Sequence, residues 1–221
     1  MLDSRAFRKD EMLDIIDRLV GCCVPEDSKK IVKELMSNEN YHYIELRHRI
    51  SYLTNMWEIG QAIYHYQYIE IKYQGIQGSS VKTRKLKPLV IMFLKYYFYL
   101  AAFIDDEKVR ENFSVINDFF PTIYRIDRIQ DLTVLEEKFC IPYSDRFEEG
   151  KFRKRIQFMY GGKLRKVKCE YFSYSVESVL DRLPNKIVDV EDGKYIIQAE
   201  VFGEGIDMWL RSQGDKIKII S

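Results

Sequence analysis

Two runs of basic side chains are the sequence features best suited to chemistry with an anion. The first lies within six positions and comprises Lys82, Arg84, Lys85 and Lys87. The second contains no acidic residue and comprises Lys151, Arg153, Lys154, Arg155, Lys163, Arg165, Lys166 and Lys168. Positive charge beside aromatic rings neutralises phosphates and stacks on bases, as nucleic-acid or nucleotide binding requires. Such runs also fit an ordinary solvated face, and the sequence leaves both interpretations open.

Motifs for catalysis and for metal or cofactor binding are missing from the sequence. The three histidines, His42, His48 and His65, have no carboxylate or cysteine partner at metal-site spacing, and the four cysteines form no CxxC pair. No nucleophile elbow, phosphate-binding loop, GxGxxG before a helix or HExxH occurs. We therefore expect no catalytic residues, no metal and no cofactor, and predict that the protein is not an enzyme.

The composition is that of an ordinary soluble globular protein rather than of a general nucleic-acid binder. Of 221 residues, 46% are hydrophobic and 31% are charged, and the formal net charge is only +1. No stretch of about 18 uncharged apolar residues is present, and the N-terminus lacks the apolar core of a signal peptide. With cysteines interpreted as reduced thiols, these features predict a cytoplasmic protein without membrane contact.

Hydrophobic periodicity changes along the chain and predicts the elements that must position these residues. Apolar side chains recur every three to four residues over positions 10–60, which predicts helices, and alternate from Tyr64 onward, which predicts strands. A turn near Gly75 and Gly78 closes a predicted hairpin, and further strands are expected at residues 81–86, 93–103 and 122–129. Five short strands within about 75 residues suggest a small barrel.

The last third of the chain predicts a compact two-layer module. After a polar linker, we expect strands at 153–160 and 166–171, a helix at 175–183, a hairpin at 187–201, a helix at 206–211 and a strand at 216–220. This βαββαβ-like order completes an α+β fold. The predicted units are residues 1–63 (helical packing segment), 64–140 (barrel), 141–152 (linker) and 153–221 (C-terminal module).

Several sequence strings follow one another in the order known from one protein family. They are Ile71-Lys72-Tyr73, then Arg84 and Pro88, then Phe98-Tyr99-Leu100 and finally Tyr124-Arg125-Ile126-Asp127-Arg128-Ile129. Through them the middle third resembles the WYL domain of bacterial transcription regulators, with Phe98 where the family has Trp. The last third resembles the WCX extension of such proteins, through Val167-Lys168-Cys169, Leu180-Asp181-Arg182-Leu183, Asp192-Gly193 and Asp207-Met208-Trp209-Leu210.

The resemblance implies an Sm-like, SH3-type barrel that senses a ligand, with single-stranded DNA or another nucleic acid as the expected ligand type. The implied pocket consists of Arg84, Tyr99, Arg125 and Arg128, with Tyr73 beside them. Guanidinium groups bind phosphate oxygens through paired hydrogen bonds, and a tyrosine offers a stacking face and a hydroxyl donor. Two structural alternatives remain open: Asp127 is placed to hold Arg125 in an ion pair, and Arg128 to bridge to a neighbouring loop. Strand alternation predicts that Phe98, not Tyr99, points inward.

The predicted function is a ligand-sensing regulatory module that binds single-stranded DNA or RNA or a nucleotide-like anion. Regulators of this family usually begin with a winged helix-turn-helix, and none is evident in this sequence. A DNA-reading domain or partner is therefore expected outside this chain, and a homodimer is expected as well. The alternative function is an interaction scaffold, in which tyrosine-rich surfaces and the C-terminal module build a dimer without any small ligand.

Overall fold

The computed structural model describes residues 6–45, 51–75, 80–94, 96–105, 121–140, 147–172, 176–191 and 194–220. Helices and two antiparallel sheets make up these parts of the chain, which confirms the predicted α+β class. The predicted turns at Gly78 and at Asp192-Gly193 lie outside the described residues, as does the first half of the predicted linker, residues 141–146.

Helices form the N-terminal part of the protein: α1 (Lys9–Cys23), α2 (Lys29–Leu35), α3 (Ser37–Tyr41) and α4 (Leu53–His65). Met12, Ile16 and Val20 share one face of α1 because they are four residues apart, and they are buried against side chains that include Val32. Tyr66 ends α4 in a left-handed conformation (φ 56°) and turns the chain into the first strand. The helices predicted over positions 10–60 are confirmed in the described residues, whereas the strand expected from Tyr64 onward begins only at Gln67, because α4 extends to His65.

The first sheet is formed by β1 (Gln67–Tyr73), β2 (Lys82–Leu94), β3 (Tyr97–Ile104), β4 (Thr122–Arg125) and β5 (Ile129–Lys138), with a 3-10 helix at Ile126–Arg128. The strands pair antiparallel in the order β4-β3-β2-β1-β5. Ile59 and Ala62 of α4 join Ile71 and Leu100 in a fully buried core on one face of the sheet. Within the described residues no ladder joins β4 to β5, so a closed barrel is not found.

The strand predicted at residues 93–103 is wrong, because this aromatic run contains the end of one strand and the start of the next. β2 ends at Leu94, β3 begins at Tyr97, and these two residues pair with each other. Phe93 and Phe98 form the neighbouring pair, with ring centroids 4.9 Å apart. Aromatic side chains flank the turn on both sides and no Gly, Pro or Asn marks it, so periodicity alone does not reveal it.

The strand predicted at residues 153–160 is also wrong, because a short helix, α5 (Glu149–Arg155), covers its first residues and the end of the predicted linker. Phe152 and Ile156 are four residues apart, so helical geometry brings both to one side, where they are buried. Arg153 and Lys154 are exposed. This mixture of buried apolar and exposed basic residues is the amphipathic pattern of a short helix.

The C-terminal module is a second antiparallel sheet with two helices on one face. Its elements are β6 (Leu164–Phe172), α6 (Glu177–Arg182), β7 (Asn185–Glu191), β8 (Lys194–Phe202), α7 (Gly205–Ser212) and β9 (Ile217–Ile219). The strands are ordered β7-β8-β6-β9, and Val167, Val179, Ile197 and Trp209 from strands and helices share one buried core. The predicted βαββαβ order is confirmed, and it is that of the ferredoxin-like motif.

A separate buried cluster joins the two sheets. Met92 of β2 and Ala101 of β3 pack with Phe152 of α5, with Ile156 and with Phe202 at the end of β8. The ring centroids of Phe152 and Phe202 are 5.8 Å apart, and Ile156 forms a single parallel bridge with Phe202. The C-terminal module therefore packs on the first sheet through α5, whereas the predicted domain boundaries stay a prediction.

Candidate functional site

Side chains of β3 alternate between the two faces of the first sheet. Leu100 lies in the core beneath α4, and Phe98 packs against that core. Tyr97, Tyr99 and Ala101 lie on the opposite side of the strand, on what we call the outer face of the first sheet. The prediction that Phe98 rather than Tyr99 points inward is confirmed.

Arg125, the last residue of β4, lies on the outer face because it pairs with Tyr99 of β3. Its guanidinium carbon is 3.4 Å from the centroid of the Tyr97 ring, which is a cation–π contact. Nε and Nη2 of the same guanidinium donate hydrogen bonds to the Asp127 carboxylate, at 3.0 and 2.6 Å. The ion pair that was left open as an alternative role for Arg125 is therefore present.

This ion pair does not occupy every donor of Arg125. A guanidinium has five N–H groups, and the two hydrogen bonds to Asp127 use two of them. The Arg125 and Asp127 side chains are 20% and 7% exposed, so the guanidinium is mostly buried but reaches solvent. Burial lowers the pKa of Arg125, but the hydrogen bond and charge of Asp127 outweigh this and hold the pKa above its ordinary value. Arg125 is thus a fixed cation with N–H groups left for an external acceptor.

Tyr99 and Arg128 complete this cationic surface. Burial raises the pKa of the Tyr99 phenol, and the positive charges of Arg125 and Arg128 partly oppose that effect, so both guanidinium groups lie within electrostatic reach of the ring. The neutral phenol is able to donate a hydrogen bond. Arg128 ends the 3-10 helix after β4, and its backbone carbonyl accepts a hydrogen bond from the Gln74 N–H (3.3 Å). The alternative that the Arg128 side chain bridges to a neighbouring loop stays a prediction.

Tyr73 and Arg84 belong to the inner face of the sheet. Arg84 pairs with Ile71, which is fully buried in the core, and its charge acts on Tyr124, whose pKa burial raises. The Tyr73 ring packs edge-on against Tyr124 with centroids 5.0 Å apart, and its hydroxyl accepts a hydrogen bond from the Arg125 backbone N–H (3.3 Å). Tyr73 therefore supports Arg125 from behind. The structure therefore places neither Tyr73 nor Arg84 on the outer face with Tyr99 and Arg125.

Tyr97 belongs to the outer-face group although it was not predicted as a site residue. Its ring provides the surface on which the Arg125 guanidinium stacks, and its centroid lies 6.4 Å from that of Tyr99. The available signal was strand alternation, since Tyr97 and Tyr99 are two residues apart on one strand. We define the outer-face group as Tyr97, Tyr99 and Arg125, together with Arg128 of the 3-10 helix that follows β4.

Two of the four residues of the first basic run, Lys85 and Lys87, belong to a network of ion pairs on the described strands. Lys85 forms ion pairs with Glu137 (2.6 Å) and Asp105 (3.4 Å), and Lys87 also pairs with Asp105 (3.4 Å). Lys85 Nζ lies 4.3 Å from the centroid of the Tyr68 ring. These carboxylates offset part of the charge of both lysines, as Asp127 offsets part of the charge of Arg125.

The second basic run is spread over α5 and β6, and ion pairs engage much of it. Arg153 pairs with Glu149 (2.6 Å) and Arg165 with Asp207 (2.7 Å). Both Arg155 and Lys166 approach Glu200, at 3.4 and 3.7 Å. Of the remaining lysines, Lys154 lies in α5, Lys163 directly before β6 and Lys168 within β6. The Lys151 side chain is outside the described part of the structure. This arrangement favours a solvated face over one concentrated anion site.

Other chemistry is limited in the described part of the chain. It contains no group of three or more His, Cys, Asp or Glu side chains able to hold a metal ion. None of its helices is both long and apolar enough to span a bilayer. A cavity of about 240 Å³ between α4, β2 and the start of α5 is lined mainly by apolar side chains such as Ile63, Val90 and Phe139. No basic residue lines it, so this cavity does not suit an anion.

One protein family and several solved structures are similar to this chain. The WYL domain family matches residues 55–134. A CRISPR Cas-related protein is 18% identical with a TM-score of 0.50, and the match covers 79% of this chain and 49% of the CRISPR Cas-related chain. The proteasome accessory factor B/C (PafBC) of Arthrobacter aurescens is 15% identical with a TM-score of 0.36, and the match covers 75% of this chain and 24% of PafBC. The chain thus spans about half and about a quarter of the length of these two proteins. No curated protein matches it.

Proposed function

Because this chain is a WYL-domain protein, we propose that it is the ligand-sensing module of a transcription regulator. The outer-face group binds single-stranded nucleic acid or a nucleotide-like anion. The module works in the cytoplasm, and a DNA-reading domain or partner outside this chain carries the response. The strand order β4-β3-β2-β1-β5, with a 3-10 turn between β4 and β5, is consistent with the Sm-like, SH3-type barrel that the family resemblance implies.

The single observation that carries this proposal is the state of Arg125. Its guanidinium is fixed by Asp127 along one edge and by the Tyr97 ring on one face, so little side-chain entropy remains to be lost on binding. The remaining N–H groups are suited to phosphate oxygens, which accept paired hydrogen bonds from a planar guanidinium. Preorganisation of this kind favours a specific anion over the general counter-ions of a solvated arginine.

Tyr99 and Arg128 give the proposed ligand its further chemistry. Tyr99 is half-buried and neutral, and it offers a hydroxyl donor and part of a ring face beside two cations. Arg128 adds a second guanidinium within electrostatic reach of the same phenol. Two cations with aromatic rings next to them match an unpaired nucleotide, because phosphates take the charge and a base takes the ring.

Fluorescence polarisation with a short labelled oligothymidylate tests the proposal. We expect Arg128→Ala to weaken binding about tenfold or more, because a charge-assisted hydrogen bond contributes about 1.5 to 3 kcal/mol. Arg153→Ala is the matched control: it removes the same charge from an exposed position on α5 and should change binding less than about twofold. Equal binding by Arg128→Ala and Arg153→Ala would contradict the proposal.

A second candidate function, an interaction scaffold without a small ligand, is favoured by large exposed side chains on α4. Trp57 and Tyr64 are 71% and 76% exposed, and they lie on the side of the helix opposite its buried residues. Salt separates the two functions. Phosphate binding should weaken steeply as salt is added, whereas association through apolar side chains should not.

A further inference from the structure

One long side of α4 faces solvent and is almost free of charge. Ile59 and Ala62 are fully buried against the first sheet, whereas Trp57 and Tyr64, seven residues apart, are 71% and 76% exposed. Leu53 lies on the same exposed side, one turn before Trp57. In the 13 residues of α4 there is no Lys or Arg, although 31% of the chain is charged. A solvated helix face ordinarily carries more charge than this.

The few polar groups on this side are arranged with the same seven-residue spacing. Glu58 and His65 are two turns apart and flank the aromatic pair along one edge of the exposed side. Within the described residues, neither forms an ion pair with a neighbour in its own chain. Gln61 lies near the midpoint of both pairs, and its amide is both a donor and an acceptor.

Gly60 leaves room for close approach at the same midpoint. A Cβ atom added to Gly60 would meet nothing within 4 Å, so the surface there is open. A helix surface without a side chain at its centre lets a second helix lie closer, and the large rings on either side then pack around the crossing point.

We infer that this side of α4 is the contact surface for a second copy of the chain, packed antiparallel about a twofold axis near Gln61. In such a pair, residues equally spaced from the midpoint lie opposite each other. Trp57 packs against Tyr64 of the partner subunit, and Glu58 lies against His65 of the partner subunit. Each contact occurs twice because of the symmetry. This interface does not depend on ligand binding by the outer-face group.

Self-complementarity is the reason to expect a second copy rather than an unrelated protein. Glu58 and His65 are placed so that, across the axis, each lies against the other residue type of the second copy rather than against its own equivalent. The Gln61 amide, which lies close to the axis, is able to pair with its own copy. A surface selected for a different partner has no need of two matched seven-residue spacings centred near Gln61.

Sedimentation equilibrium of the full 221-residue chain tests the inference. We expect a reversible dimer that Trp57→Ala weakens at least tenfold, because a central aromatic residue lost from both subunits is a typical interface hot spot. Glu58→Lys and His65→Glu should each weaken the dimer about fivefold or more, by placing like or uncompensated charges across the axis. The double variant Glu58→Lys/His65→Glu should restore the affinity to within about threefold, because the opposite charges meet again.

The control is Asp215→Lys, a charge reversal at an exposed position of the C-terminal module, which should leave the dimer unchanged. Circular dichroism confirms that each exposed-site variant is folded. A monomer at all concentrations, a dimer that the single charge changes do not weaken, or a double variant that stays as weak as the single ones would each overturn the inference. Rescue by the double variant requires an antiparallel copy, so it does not arise from an unrelated contact.

Discussion

Replacement of Asp127 by asparagine tests whether its ion pair with Arg125 holds the turn between β4 and β5. The substitution keeps the size of the side chain and removes its charge. Arg125 then keeps a positive charge in a position where only 20% of its side chain reaches solvent. The expected result is a lower free energy of unfolding.

The size of the loss follows from the burial of the pair. Breaking a buried pair costs about 3 to 5 kcal/mol, whereas an exposed pair contributes about 0 to 1 kcal/mol. Asp127 is 7% exposed, but Arg125 keeps some contact with water, and the Tyr97 ring remains stacked on it. The asparagine carbonyl also retains one hydrogen-bond acceptor. We therefore expect a loss of about 2 kcal/mol, between the two limits.

Urea unfolding measures this loss, and Asp131→Asn provides a matched control. Asp131 forms an ion pair with Lys72 at 2.9 Å, but these side chains are 55% and 53% exposed. Because solvent screens that pair, the control should lose less than about 0.5 kcal/mol. If both variants lose the same free energy, or if Asp127→Asn loses none, burial is not the source of the strength of the Arg125–Asp127 pair.

Two further predictions concern packing and pH. A methyl group at Gly205 would overlap the carbonyl oxygen of Gln157, whereas one at Gly21 of α1 would meet nothing within 4 Å. In urea unfolding, Gly205→Ala should therefore lower the free energy of unfolding by about 2 to 3 kcal/mol. Gly21→Ala should raise it by up to about 1 kcal/mol, because alanine favours a helix over glycine. Burial raises the pKa of the Cys169 thiol to about 11 from the ordinary 9.0, so the folded state holds this proton more tightly than the unfolded state. Its contribution to stability is complete below about pH 9 and is lost as the pH rises through 11. Over that range the free energy of unfolding, measured by urea unfolding at each pH, should therefore fall less steeply with pH for Cys169→Ala than for the unchanged protein. Equal slopes for the two proteins would contradict this prediction.

Hydrophobic periodicity predicts most elements of this fold because each element buries one face. The four-residue spacing of Met12 and Ile16 places α1 correctly, and the βαββαβ order follows from equally regular patterns. Periodicity fails where two elements of similar composition adjoin, as at the Leu94–Tyr97 turn, or where an amphipathic helix is only two turns long, as in α5. In α5 too few residues are present to distinguish a period of 2 from a period of 3.6, whereas at the Leu94–Tyr97 turn both segments have the period of a strand and no typical turn residue separates them.

The candidate site is predictable where it depends on one strand and unpredictable where it depends on strand register. Arg125 and Asp127 are two residues apart, so their ion pair was foreseeable from spacing alone. Arg84 was expected beside them, but its pairing with buried Ile71 puts it on the inner face. A shift of one residue in that register would reverse its face, and nothing local to Arg84 sets the register.

The position of Tyr99 places the proposed ligand site close to the C-terminal module. Along the sheet, Tyr99 has Arg125 on one side and Met92 on the other. Met92 is fully buried in the cluster that also contains Phe152 and Phe202, so the strand neighbour of Tyr99 lies in the contact between the two sheets. A ligand alters that contact only if it binds more tightly to one packing arrangement than to another. Because Tyr99 and Met92 are cross-strand neighbours on the outer face, we expect a movement of Tyr99 to alter the packing of Met92 without a longer chain of residues between them.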